Sequence, residues 1–65
     1  MLKINNNTPT SDLLNIKVND DLINENNLFG KVKAIDIIDT DEFWLFTFKL
    51  QNNQQIEIKK IKNIC

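Results

Sequence analysis

The chain has 65 residues, 42% of them hydrophobic and 26% charged, with eight basic residues against nine acidic ones and a net charge of −1. That balance belongs to a small globular protein and argues against both a disordered chain and a membrane protein. Its longest unbroken apolar run, Phe43 to Phe46, is far below the roughly 20 residues of a membrane-spanning helix, so no membrane association is expected.

A chain of this length buries only about 60% of the surface its unfolded form exposes, so its few large apolar side chains must share one core. The opening MLKINNNTPT lacks the apolar segment of a signal peptide, and a cytoplasmic location is expected. The single cysteine, Cys65, leaves no internal disulfide, and it lacks the three following residues of a prenylation signal. Asn, Ile and Lys are abundant while Arg, His and Tyr are absent. That bias follows from AT-rich coding and points to a low-GC bacterium or one of its phages.

Leu2 and Ile4 alternate, which predicts a short strand running into the Asn5–Pro9 loop. Thr10 or Ser11 is placed to cap one helical turn over Ser11 to Leu14. Leu14, Ile16 and Val18 then alternate with Asn15 and Lys17 in the period of a half-buried strand, which ends at an Asn19-Asp20-Asp21 turn. After Leu22 and Ile23 comes a polar loop over Asn24 to Asn27. The only glycine, Gly30, stands at the start of a long strand, Lys31 to Ile38, where it implies a bend or a close backbone approach. The apolar phase of that strand changes between Val32/Ala34 and Ile35/Ile37, which predicts a bulge near Ala34 to Asp36.

Asp39-Thr40-Asp41 reads as a turn before a strand over Glu42 to Leu50. That strand is apolar on both faces in its first half. Asn52-Asn53 is expected as a two-residue type I′ turn. The strand Gln54 to Lys59 should point Ile56 and Ile58 inward and Gln55, Glu57 and Lys59 outward. Ile61 and Ile64, three apart, suit one tight closing turn. Together these pieces predict a mostly β fold: a five-stranded, strongly bent antiparallel barrel or meander with at most one short helical turn. It forms one domain, with an N-terminal segment over 1–13 and a barrel core over 14–64.

The strand Ile16-Lys17-Val18 before a tight acidic turn, the stretch Leu28 to Ile35, the hairpin about Asn52-Asn53 and the Lys60 to Ile64 turn resemble the small barrels of the Src-homology-3-like class, including KOW, Tudor and Sm-type modules. The resemblance covers about three-quarters of the chain and implies a five-stranded barrel. It does not extend to the aromatic cage of methyl-reading Tudor modules, since the chain has no Tyr and one Trp.

The residues argue against catalysis. No histidine is available as a general base, the one cysteine is terminal, and Ser11 has no evident base partner. One glycine cannot build a phosphate-cradling loop, and no Cys/His set exists for zinc, so neither cofactor nor metal is expected. The acidic group Asp36, Asp39, Asp41 and Glu42 is shorter than a calcium loop and reads as a solvated hairpin tip.

Residues 46 onward carry four lysines and one acid, whereas residues 1 to 45 carry eight acids and four lysines. Lys49, Lys59, Lys60 and Lys62 therefore form the candidate nucleic-acid contact, weakened by the absence of Arg. Edge lysines that discourage strand pairing account for them equally well. The aromatic run FWLFTF is expected to place Phe46, Phe48 and Leu50 in the core. Phe43, Trp44 and Leu45 exceed what one small interior accommodates, which points to a protein-docking face. The expected contacts are Phe43 and Trp44, with Asp39, Asp41 and Glu42 as a polar rim. The expected role is a non-catalytic binding module, such as a phage or mobile-element accessory protein that inhibits a host protein. A nucleic-acid-binding barrel and a homo-oligomer subunit are the alternatives.

Overall fold

Pro9 supplies the backbone angle that starts a helix and lacks the N–H a helix would leave unpaired. In the computed structural model, which describes residues 2–62, its carbonyl accepts from the amides of Asp12 and Leu13 (3.0 and 3.1 Å), opening α1 (Thr10–Leu14). The helical turn is as expected in place and length, but neither Thr10 nor Ser11 caps it. Pro9 is the N-cap, and no side chain bonds the first amides.

The strand expected over Leu14, Ile16 and Val18 does not form. Leu13 and Ile16 are the buried residues, three apart on one side of the helical turn, while Leu14 and Val18 are exposed. The chain then turns, with the Lys17 amide held by the Asp20 carboxylate (2.9 Å) and Asn19 at φ 78°.

The strands are β1 (Leu2–Lys3), β2 (Asp21–Ile23), β3 (Phe29–Asp39), β4 (Phe43–Leu50) and β5 (Gln55–Ile61). They lie in the order β1-β2-β3-β4-β5. The pairs β2–β3, β3–β4 and β4–β5 are antiparallel, whereas β1 joins β2 in parallel. Of the two architectures expected, the sheet takes the open one: a bent meander whose ends do not pair, and not a closed barrel.

The bend lies in β3, which pairs with β2 through Phe29–Lys31 and with β4 from Val32 onward. Its register shifts between Val32 and Ala34. The extra residue is thus Lys33, slightly earlier than the phase of the isoleucines indicated. Gly30 sits beside it, and its need is for space. A Cβ there would lie 3.2 Å from Leu50 Cβ and Cδ1 and 3.1 Å from Asn52 Nδ2.

Asparagine makes the left-handed turns, at Asn19, Asn27 and Asn53 (φ 78°, 64° and 67°). The Asn24 side chain accepts from the amides of Asn26 and Leu28 and so shapes the loop before β3. At the β4–β5 hairpin only Asn53 has positive φ, and the Asn53 and Leu50 amides donate to Leu50 and Gln54 carbonyls. This is a three-residue loop ending in a left-handed residue, in place of the two-residue type I′ turn.

On the inner face of the sheet lie Val32, Phe46, Phe48, Leu50, Ile56 and Ile58, all buried. Ile4, Leu13, Ile16 and Leu22 cover them, so the N-terminal segment is part of the core. Phe46 and Phe48 are fully buried and stack with centroids 6.3 Å apart. Each contributes about 1.5–3 kcal/mol by burial. Ile61 extends β5; the turn expected through Ile64, and Cys65, lie outside the described residues.

Gly30→Val forces a branched side chain against fully buried Leu50. It should lower stability by about 1–3 kcal/mol, read as a reduced urea midpoint with unchanged slope. A midpoint equal to wild type would show that Gly30 is not the close-approach site described.

Candidate functional site

The register fixes which side chains share a face, because directly opposed residues in a sheet point the same way. Asp39, Trp44 and Lys60 form one cross-strand row, and Ile37, Phe46 and Ile58 the next, both on the inner face. Ile38, Leu45 and Lys59 form a row on the outer face, beside the Phe43–Ile61 pair. The two aromatics expected to act together, Phe43 and Trp44, are therefore on opposite sides of β4.

Trp44 is half-buried. It stacks on Phe46 (5.9 Å between centroids, 13° between planes) and thereby extends the core row. Lys62 Nζ lies 4.7 Å from its ring centroid and pairs with the Asp39 carboxylate. Phe43 has no such packing from within the core; Lys59 Nζ lies 4.4 Å over its ring. Around Phe43 the outer face carries Leu45, half-buried, with Ile38 at 51% and Ile61 at 69% exposure. No element covers them among the described residues.

The acidic tip is held by Thr40. Its hydroxyl accepts from the amides of Glu42 and Phe43 (3.2 and 3.0 Å) and donates to the Phe43 carbonyl (3.0 Å). Asp41 and Glu42 are thus presented as exposed carboxylates at the end of the apolar face, whereas Asp39 is engaged by Lys62.

The four C-terminal lysines do not gather into one patch. Lys49 pairs with Asp36 (3.3 Å), Lys59 covers Phe43, Lys60 donates to the Asn6 carbonyl (2.7 Å) and Lys62 pairs with Asp39. By row they also divide between the two faces.

Ile38 and Ile61 are contributors that the sequence pattern did not single out. The one signal of Ile38 was its break from the alternation of Ile35 and Ile37, and Ile61 was expected in the closing turn. The hollows beside α1 and beside β5 hold about 230 and 210 Å³. Pockets for drug-sized ligands run from roughly 300 to 1,000 Å³.

The outer face is a sheet surface with an apolar centre and, at its margin, Lys59, Asp41 and Glu42. The chain matches no family model, no curated protein and no solved structure. Among the described residues no helix is long and apolar enough to cross a membrane, and no three His, Cys, Asp or Glu side chains gather as a metal set.

Thr40→Ala removes the acceptor of two tip amides and should cost about 1 kcal/mol. It should also speed amide exchange at Glu42 and Phe43 over that at Phe48. Unchanged exchange at both tip amides would show that the hydroxyl does not hold the turn.

Proposed function

We propose that this chain is a non-catalytic module that docks onto another protein through the outer face of β3, β4 and β5 at the end remote from the core. The observation that supports it is the cluster of Ile38, Phe43, Leu45 and Ile61 on a face that no other element covers among the described residues. A protein of 65 residues cannot spare four large apolar side chains from its core without cost, and an exposed apolar group rimmed by charge is the usual composition of an interface. Asp41 and Glu42 at the tip favour a partner with a basic margin. Of the features that suggested kinship with Src-homology-3-like modules, the stretch Leu28 to Ile35 and the hairpin about Asn52-Asn53 support it, whereas the strand over Ile16 to Val18 does not form, β1 pairs with β2 in parallel and the sheet stays open.

The mechanism is steric: the module covers a surface that its partner uses elsewhere. Small size, AT-rich composition and the lack of histidine support a phage or mobile-element accessory role in which that partner is a host protein. Nucleic-acid binding is the weaker reading, because the C-terminal lysines are individually engaged and divided between faces.

With a partner recovered on the wild-type chain, Phe43→Asp should weaken binding about thirtyfold or more, the effect of losing a central apolar contact. Trp44→Leu, on the opposite face, should leave affinity within about threefold. Equal loss in both variants, with folding verified by circular dichroism, would place the contact elsewhere, as would no loss with Phe43→Asp.

A further inference from the structure

β5 is the last strand of the sheet, and one of its sides faces no strand. The bonds from Leu50 N to Gln54 O and from Lys62 N to Glu42 O (both 2.8 Å) bracket the β4–β5 ladder. In this register the even-numbered residues of β5 turn their backbone groups toward β4. The N–H and C=O of Gln55, Glu57, Lys59 and Ile61 point to the open edge, and all four side chains are exposed. Among the described residues no backbone hydrogen bond joins the N-terminal segment to this edge; Lys60 reaches Asn6 through its side chain alone.

Lysine on an edge ordinarily keeps strands apart, and so do proline and bulges. This edge has no proline and no bulge, and its Lys59 stands two residues from Glu57. That spacing makes the edge complementary to itself.

We propose that a second copy of this chain pairs antiparallel along β5 about a two-fold axis at Ile58, setting Glu57 of each copy opposite Lys59 of the other. The residues whose backbone groups are free are the ones this register opposes: Glu57 with Lys59 and Gln55 with Ile61. A slip of two residues either way sets Glu57 against Glu57 or Lys59 against Lys59, and like charges directly opposite are unfavourable. At the far side of the sheet β1 has only two residues, and the stretch of β3 beyond Val32, which β2 does not reach, has no equivalent. By the Thr40 N to Phe43 O bond (2.9 Å) its free backbone groups belong to odd-numbered residues. The register that would pair Lys33 with Asp39 also sets Asp36 on its own copy.

Such a dimer is isologous and closes after two copies, leaving no further β5 edge. It continues the sheet across the axis and carries two outer apolar faces on one side, which would make the docking surface bivalent. The pairing itself does not depend on what those faces bind.

The test is the solution mass of wild type, Glu57→Lys and Lys59→Glu by sedimentation over a concentration series, with Trp44 emission and circular dichroism confirming each fold. Both single reversals replace two attractive pairs by two repulsive ones and should raise the dimer dissociation constant about tenfold or more. An equimolar mixture of the two variants should dimerise in preference to either alone, because each supplies the charges the other lacks. The double variant Glu57→Lys with Lys59→Glu should dimerise as wild type does. A wild-type monomer at every concentration overturns the proposal, as does a dimer indifferent to both reversals.

Discussion

Phe46 and Phe48 stack side by side on the inner face of β4, both without exposed surface. The N-terminal third of the chain exists structurally to cover them. Leu13 and Ile16 from the helical turn, Leu22 from β2 and Ile4 all converge on that one face. Only one such cover fits in a chain this short. The long strands β3 and β4 run past it, and among the described residues no element covers the outer face of the part that projects.

This division explains the different treatment of neighbouring aromatics. Trp44 continues the Phe46 stack and is shielded by the Lys62–Asp39 pair. Phe43, one residue away and on the other face, has a lysine over its ring and exposed isoleucines beside it. The exposed pairs Lys49–Asp36 and Lys62–Asp39 each add little stability, since surface ion pairs are screened and entropically costly. Their effect is on surface pattern: they neutralise the lysines locally and leave the apolar centre as the distinctive feature.

Much of the sheet was legible because period-two alternation is strict where one face is buried, as at Ile56 and Ile58 of β5 and at Phe46, Phe48 and Leu50 of β4. The places of the turns were legible because asparagine is the residue that takes positive φ most readily after glycine, but their form was not: at Asn52-Asn53 only Asn53 is left-handed, and Asn27 was not singled out within its loop. The segment from Leu13 to Val18 misled because Leu14, Ile16 and Val18 alternate by coincidence, while the working pair, Leu13 and Ile16, follows the helical spacing set by Pro9. Closure of the sheet was not legible at all, since it depends on how far the Lys33 bulge turns β3. The proposed docking face was half legible: the excess of apolar residues in FWLFTF pointed to a second surface, but the opposition of Phe43 to Trp44, and the company of Ile38 and Ile61, depend on register across three strands.

The central claim is that one core at one end of the sheet leaves the other end without cover among the described residues, and amide hydrogen exchange of the free protein tests it residue by residue. Protection tracks local opening, which is rarest where apolar burial is deepest. The account predicts the slowest exchange at Val32, Phe48, Leu50 and Ile56, falling steadily toward Ile38, Glu42 and Phe43. Uniform protection along β3 and β4, or a maximum at the Ile38–Phe43 end, would contradict it.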